Sequence, residues 1–129
     1  MWPIEIIPDA SLLFMRAHKR LLLDGEIRPN IFREQGEGMS VDWDKYSTPE
    51  QSRARSKIPA DNGIVRMNTA LVRRITGLTV THDPIQEGVV DNQGKPVPAN
   101  QAHSLVNGVG ADTQRRVELS RICSWVIKT

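Results

Sequence analysis

Residues 63–82, GIVRMNTALVRRITGLTVTH, decide the fold class of this chain. The segment 64–67 is rich in apolar residues, and 78–82 alternates apolar and polar residues in the manner of a half-buried strand. Between them, 69–76 places apolar residues at helical spacing and stops at Gly77. Strand, short helix and strand in succession invite a crossover connection, but a helix of about seven residues does not by itself make the two strands parallel.

The spacing of glycine and proline agrees with a small α+β domain. The chain holds 9 glycines and 8 prolines, and the gaps between neighbouring ones do not exceed about 16 residues, which excludes a bundle of long helices. A chain of 129 residues can bury a core of its own without disulfides or a structural metal. We therefore predict one α+β domain over residues 1–129, with a mixed sheet of about four or five short strands and about three helices.

Two segments nearer the N-terminus carry local signals of different strength. Thr48 and Gln51 form a capping-box pattern around a proline at the first helical position, which predicts a helix over 49–56. Residues 9–23 fit neither a helical nor a strand period cleanly. We favour a helix there, ended by the Asp-Gly pair that follows, with a strand over 13–17 as the alternative.

The longest predicted loop begins and ends beside ionisable side chains. Residues 85–101 are rich in Gly, Pro and Asn and are interpreted as a loop of about 17 residues, with at most a small hairpin inside it. Loops of this length in a compact domain are usually functional or disordered. His82 and Asp83 precede the loop and His103 follows it, so we expect the three side chains to lie close together.

His82, Asp83 and His103 are therefore the candidate catalytic residues. His82 can act as a general base oriented by Asp83 or Asn100, and His82, Asp83 and His103 together can hold a metal ion with open positions. The chain has no H-x-x-x-H, H-E-x-x-H or C-x-x-C spacing, and we assign no metal ligand. The alternative is structural, with each histidine hydrogen-bonding a loop carbonyl and pinning one end of the loop.

A second candidate site lies before the last predicted helix. Gly108 and Gly110 precede a helix capped by Asp112, so their backbone amides can face a phosphate, with Arg115 nearby. The third glycine of a dinucleotide fingerprint and the Lys-Ser/Thr pair of a P-loop are both missing, and the sequence assigns no cofactor. An ordinary turn into a capped helix is the alternative.

Basic residues cluster in one part of the chain, although the net charge is only +2. Residues 51–76 carry six basic side chains and one acid, and five of the six form a candidate binding surface: Arg53, Arg55, Lys57, Arg73 and Arg74. No aromatic residue lies among them, which disfavours recognition of single-stranded nucleic acid by stacking. A solvated face that keeps the domain soluble is the alternative.

Other features of the sequence bear on compartment and assembly. The chain has one cysteine, no signal-peptide pattern at its start, and no apolar run near the roughly 20 residues of a membrane span, so we expect a cytoplasmic protein without a membrane partner. Cys123 lies beside apolar residues of the last helix and is expected to be a buried, inert thiol. Trp2, Ile4, Ile6 and Ile7 form either an internal strand or an exposed edge that pairs two copies in a homodimer.

Three short motifs resemble the opening half of ADP-ribosyltransferase-like folds. They are Arg16-Ala17-His18, Gly25-Glu26-Ile27 and Gly38-Met39-Ser40-Val41. In that family an early strand carries a basic or histidine residue and a later strand carries a serine. The resemblance covers about 30 residues and does not extend to the family's late glutamate, because Glu118 falls in a predicted helix. We therefore transfer no residue role from this family.

These observations lead to different hypotheses for function. The first is a small cytoplasmic binding or regulatory module that contacts a protein or nucleic-acid partner through the basic surface. The second is a small hydrolase, or an enzyme acting on a phosphate-bearing substrate, with His82, Asp83 and His103 at its site. An ADP-ribosyltransferase-like domain is a third and more distant interpretation. An enzyme requires the three side chains to converge around a concave pocket, whereas a binding module requires a flat patch.

Overall fold

Six strands and three α-helices make up the fold in the computed structural model, which describes residues 1–34 and 36–129. The strands are β1 (Leu12–His18), β2 (Met39–Trp43), β3 (Asn62–Asn68), β4 (Thr79–His82), β5 (His103–Asn107) and β6 (Ser124–Ile127). The helices are α1 (Pro49–Ala54), α2 (Thr69–Arg73) and α3 (Thr113–Ile122), and 3₁₀ turns cover Lys19–Leu21, Pro29–Ile31 and Pro59–Asp61. The strands form one sheet in the order β4-β5-β2-β1-β3-β6, with all neighbours antiparallel.

The predicted α+β class and the number of helices are confirmed, whereas two details of the predicted sheet are wrong. The sheet has six strands rather than four or five, and it is antiparallel throughout rather than mixed. The strand, helix and strand of residues 63–82 do not form a parallel pair, because three other strands lie between β3 and β4. These pairings join segments that are distant along the chain, and local patterns do not reveal them.

The helix predicted over residues 9–23 is wrong, and the alternative, a strand, is what the structure contains as β1. This strand lies inside the sheet between β2 and β3, and it pairs with β3 along its whole length. Leu13, Met15 and Ala17 face the core. Pairing on both sides together with burial outweighs the weak helical preference of the segment.

The hydrophobic core covers one face of the sheet. Alternate side chains of the inner strands pack there with residues of α2, α3 and the turn Pro29–Ile31, and its fully buried members include Leu13, Phe32, Met67, Val72 and Leu119. Because side chains alternate along a strand, the intervening residues of β1 and β2 face the other side, where α1 packs against β1 and β3. That outer face carries the candidate functional site.

Two predicted local features are confirmed. Thr48 Oγ1 accepts the N–H of Gln51 and Gln51 Oε1 accepts the N–H of Thr48, which completes the capping box of α1. A small hairpin interrupts the long loop, with Val90 paired to Pro96. Both features depend on contacts within a few residues, so the sequence pattern was sufficient to predict them.

The first eight residues run along the protein without forming a strand. Two hydrogen bonds join Trp2 to the side-chain amide of Gln86. The Trp2 N–H donates to Gln86 Oε1 at 2.8 Å, and Gln86 Nε2 donates to the Trp2 carbonyl at 2.7 Å. Ile7 is buried in the core, whereas Ile4 and Ile6 are 75% and 90% exposed. The segment is therefore not the internal strand considered as one alternative, and the homodimer stays a prediction.

Candidate functional site

A cleft opens where β1 and β2 separate. β1 pairs with β3 at seven positions but with β2 at two, the second of which joins Phe14 to Asp42. Continuing the same register would place Arg16 opposite Ser40. These two residues lie beyond the paired part of the strands, so the ladder directs their backbone N–H and C=O groups into the gap between β1 and β2.

The cleft has a volume of about 460 Å³. Its polar walls carry Arg16 and His18 from β1, Ser40 and Asp42 from β2, and His103 from β5. The long loop closes one end with Ile85, Val97, Pro98 and Asn100, and Arg33 lies in the lining as well. A concave site of this size with a few convergent polar groups is typical of small-molecule binding.

A hydrogen-bonded chain runs from Asp83 through His103 to Ser40, and the last two of these residues line the cleft. His103 Nδ1 lies 2.8 Å from the carbonyl oxygen of Asp83 and 3.3 Å from its carboxylate Oδ2, and His103 Nε2 lies 3.1 Å from Ser40 Oγ. The backbone carbonyl oxygen and the carboxylate Oδ2 of Asp83 both accept hydrogen bonds, so the ring proton of His103 belongs on Nδ1. His103 Nε2 then accepts a hydrogen bond from the Ser40 hydroxyl. Histidine-activated serines have this order of groups.

Strand pairing brings these residues together from three places in the sequence. β5 pairs with β2, and its register places His103 opposite Asp42 and diagonal to Ser40 on the outer face. The N–H of Asp83 donates to the carbonyl of His103 at 2.9 Å and continues the pairing of β4 with β5. The side chain of His103 is 15% exposed and that of Asp83 53%, so the imidazole is partly shielded from water while the carboxylate remains accessible.

His82 lies outside this site, although it is the neighbour of Asp83 in sequence. It points to the core face of β4 and is buried. Its Nδ1 accepts the N–H of Glu5 at 3.0 Å, and its Nε2 donates to the carbonyl of Gln101 at 2.7 Å. Its ring packs edge-on against Trp43. His82 thus joins the N-terminal segment and the end of the long loop to the core.

Asp42 connects three parts of the cleft wall. Its Oδ2 accepts from Arg55 Nη1 at 2.9 Å, and its Oδ1 accepts from Asn100 Nδ2 at 2.8 Å. Asn100 Oδ1 in turn accepts the N–H of Ala102 at 3.0 Å, immediately before His103. Asp42 is only 6% exposed, so these bonds satisfy a carboxylate that water hardly reaches. The network holds β2, the end of α1 and the long loop in register beside His103.

Two arginines of the cleft have no carboxylate partner in the described part of the chain. Arg16 Nη1 donates to the carbonyl of Ser52 at 3.3 Å, and Arg33 Nε donates to the carbonyl of Asn30 at 3.1 Å. Each guanidinium has five N–H donors, so most of them remain available to a ligand. Guanidinium groups bind phosphate and carboxylate oxygens strongly because both partners are charged.

The acid nearest His18 is already neutralised by a lysine. Lys19 Nζ lies 2.8 Å from Asp61 Oδ1, and His18 Nε2 lies 4.0 Å from the other oxygen of the same carboxylate. The hydrogen bond from Lys19 is the main cause that holds the pKa of Asp61 below its usual range. Asp61 therefore stays ionised and paired, and does not compensate the charge of Arg16 or Arg33.

The five residues of the candidate basic surface do not form one continuous patch. Arg53 and Arg55 belong to α1 and its end on the outer face, whereas Arg73 and Arg74 belong to α2 and its end on the core side of the sheet. Lys57 is exposed after α1. Three of the five are already engaged: Arg53 with the carbonyls of Pro59 and Asn62, Arg55 with Asp42, and Arg73 with Asp9.

Glu34 occupies backbone amides of the predicted phosphate site. Its Oε1 accepts the N–H of Gly108 at 2.8 Å and that of Val109 at 2.9 Å. Arg115 Nη1 donates to the carbonyl of Gly108 at 2.6 Å. The turn from Gly108 to Gly110 thus holds a carboxylate of the chain itself, and none of its residues lines the cleft.

The thiol of Cys123 is not suited to catalysis. Burial raises its pKa to about 12, so the reactive thiolate is scarce near neutral pH. We expect iodoacetamide at pH 8 to alkylate the native protein at least about 100-fold more slowly than the urea-unfolded chain. Mass spectrometry over a time course measures both rates, and equal rates would contradict the raised pKa of this partly buried thiol.

The described residues contain no group of three or more histidine, cysteine, aspartate or glutamate side chains placed to hold a metal ion. Within the same residues, no helix is long and apolar enough to cross a membrane. The longest helix, α3, has 10 residues.

Several cleft residues were not selected by sequence analysis, namely Arg16, Arg33, Ser40 and Asp42. Asn100 was considered as a partner of His82, but it bonds Asp42 and Ala102 instead. One signal was available, because alternation of Met39, Val41 and Trp43 toward the core places Ser40 and Asp42 on the opposite face. No local signal joins Ser40 to His103, which lies 63 residues further along the chain.

Comparison with known proteins gives one partial similarity. No family model matches the chain, and no solved structure matches it. The chain is 26% identical over 100 residues to a curated protein named acetylglutamate kinase, from Streptomyces clavuligerus. That match includes 74% of this chain and 33% of the other protein, so the chain spans about a third of the length of the relative it matches.

Proposed function

We propose that this chain is an enzyme that binds a phosphate-bearing substrate in the cleft between β1 and β2 and uses His103 as its general base. The observation that carries the proposal is the hydrogen-bonded chain from Asp83 through His103 to Ser40. It ends in a cleft that also contains two arginines without a carboxylate partner among the described residues. A histidine with a free acceptor nitrogen beside a hydroxyl is suited to remove a proton at neutral pH.

The charge of the cleft supports an anionic substrate. Arg16 and Arg33 are the cleft cations that remain unneutralised in residues 1–34 and 36–129, whereas Arg55 is paired with Asp42. Two N–H donors of a guanidinium have the spacing of two phosphate oxygens and can bind both at once, whereas a lysine ammonium acts as a point charge. The partial similarity to a protein named as a kinase agrees with a phosphate-bearing substrate, since kinases transfer phosphoryl groups.

A binding module that acts through the basic surface has less support. Its five basic residues are divided between the two sides of the sheet, and three of them are engaged by neighbouring groups. The cleft, in contrast, gathers its polar groups in one concave place, as an enzyme requires.

Binding of ADP, measured by calorimetry at fixed salt, tests the proposal. We expect Arg16→Ala and Arg33→Ala each to weaken ADP binding about 10-fold, because each removes a charge-assisted hydrogen bond. Arg74→Ala is the matched control, since it removes the same charge from an exposed residue on the other side of the sheet. ADP binding that is undetectable, or that Arg74→Ala weakens as much as the cleft variants do, would count against a phosphate site in the cleft.

An ADP-ribosyltransferase-like activity is the second candidate, and one observation favours it. The two strand motifs that resemble that family contribute Arg16 and Ser40, which both line the cleft where β1 and β2 separate. An ADP-ribosyl donor such as NAD⁺ contains a pyrophosphate, which the same arginines would bind. Incubation with NAD⁺ followed by chromatography for released nicotinamide distinguishes this activity. Release that is lost in Arg16→Ala but kept in Arg74→Ala would support it.

A further inference from the structure

We infer that Ser40 is a covalent nucleophile, activated by His103 and directed at a phosphorus centre of the substrate. This inference rests on the proposed function, because it assigns a chemical step to the same cleft. Ser40 Oγ is the atom at the end of the hydrogen-bonded chain, 3.1 Å from His103 Nε2, and its residue is exposed to the cleft.

The hydrogen bonds at His103 prepare the ring for this step. Nδ1 is occupied by the carbonyl and the carboxylate of Asp83, at 2.8 and 3.3 Å, which leaves the lone pair of Nε2 directed at the serine. When Ser40 loses its proton to Nε2, the ring becomes a cation, and the Asp83 carboxylate stabilises that charge. Asp83 is a positioning residue, since it acts on the substrate only through His103.

The backbone of Ser40 adds a second feature of a nucleophile site. Pairing between β1 and β2 ends at Phe14 and Asp42, so the N–H of Ser40 points into the cleft rather than to a partner on β1. A backbone N–H beside an attacking oxygen can donate to the oxygen that gains charge in the transition state. Arg16 of β1 also lines the cleft and supplies positive charge to it.

The step balances without a further reactant. The bond from Ser40 Oγ to phosphorus forms as the bond from phosphorus to the leaving oxygen breaks, and the serine proton moves to His103 Nε2 and then to the leaving oxygen. Water subsequently attacks the same phosphorus and transfers one proton to His103, which returns it to Ser40 Oγ as that bond breaks. The products are the leaving-group alcohol, or phosphate when the substrate is an anhydride, and the hydrolysed phosphate.

A fluorophosphonate probe tests this inference directly, because a serine that attacks its phosphorus displaces fluoride and remains labelled. We expect one adduct per chain, located on Ser40 by peptide mass spectrometry. Ser40→Ala should remove the adduct, and His103→Ala should slow labelling about 100-fold or more. Ser124→Ala, on an exposed serine of β6, is the matched control and should label like the unchanged protein.

Two further measurements separate activation from structure. Asp83→Ala should lower the maximal rate of labelling at least about 10-fold without changing the probe concentration that gives half of that rate, because Asp83 acts through His103 and not on the probe. Thermal unfolding of each variant shows whether the fold is kept, and Ser40→Cys provides a nucleophile of similar size if Ser40→Ala unfolds.

The outcomes distinguish this inference from the proposed function. Absence of an adduct on Ser40, or labelling that His103→Ala leaves unchanged, overturns the covalent step. ADP binding that depends on Arg16 and Arg33 would leave the proposed function intact in that case. Labelling of Ser40 that depends on His103, together with undetectable ADP binding, would support the nucleophile and contradict the phosphate-bearing substrate.

Discussion

Asp42→Ala is expected to lower the free energy of unfolding by about 2–4 kcal/mol. The variant removes the acceptor of both Arg55 Nη1 and Asn100 Nδ2 at a position that is 6% exposed. Removing one partner of a shielded ion pair destabilises the protein by more than the intact pair stabilises it. The remaining charge is still partly removed from water but no longer has a partner of opposite charge. The Arg55 side chain is 28% exposed, and water reaching it holds the effect below that of a fully buried pair.

Equilibrium unfolding in urea measures this change, and Asp44→Ala is its matched control. Asp44 is an exposed aspartate two residues further on, and its backbone N–H bonds the carbonyl of Leu12. We expect its loss to change stability by no more than about 0.5 kcal/mol. Equal effects of Asp42→Ala and Asp44→Ala would show that the network does not stabilise the cleft wall.

Asp42→Ala also tests whether the hydrogen bonds of Asp42 help to position His103. Asn100 joins Asp42 to the N–H of Ala102, next to His103. Without Asp42, Asn100 loses its side-chain contact with β2 beside the histidine. We therefore expect Asp42→Ala to slow fluorophosphonate labelling of Ser40 at temperatures where the variant remains folded.

Gly108→Ala is expected to destabilise the protein by about 2–5 kcal/mol, for two physical reasons. Gly108 has a φ of +97°, a conformation that side chains with a Cβ rarely adopt. A Cβ at this position would also lie 2.1 Å from the carbonyl oxygen of Gly77, which is backbone and cannot rotate away. Relief of that clash would displace the Gly108 N–H from Glu34 and the Gly108 carbonyl from Arg115.

Gly94→Ala separates the two causes. Gly94 has a φ of +75°, but nothing lies within 4 Å of the position that its Cβ would take. Its substitution should therefore lower the free energy of unfolding only through the strain of a Cβ at positive φ, by about 1 kcal/mol. Thermal unfolding of both variants gives the comparison, since about 1 kcal/mol moves the midpoint by several degrees in a domain of this size. If the two variants are equally stable, the close approach of Gly77 and Gly108 does not contribute.

Sequence patterns predicted the elements whose cause is local. The capping box of Thr48 and Gln51 predicted α1, and the alternation of residues 78–82 predicted β4. β1 was not predicted as the first choice, because residues 9–23 have no clean period and only pairing with β2 and β3 decides their conformation. The strand count failed for the same reason, since a short strand is stable only with its neighbours.

For the candidate site, the sequence led us to expect three side chains close together, and the structure places two of them in contact. Asp83 and His103 are in contact, as their positions at the ends of one loop led us to expect. His82 faces the core, and strand parity with Leu78 and Val80 was the available signal for that. Strand parity places Ser40 on the outer face, but no local signal joins it to His103.

The sequence by itself determined an α+β class, the N-caps of α1 and α3, and the closeness of Asp83 to His103. Tertiary structure alone decided that β1 and β2 separate after two paired positions, that Ser40 comes within 3.1 Å of His103 Nε2, and that the basic residues divide between two faces. The physical reason is the range of the interactions. Caps and turns satisfy their hydrogen bonds within a few residues, whereas register between distant strands depends on how the whole sheet buries its core.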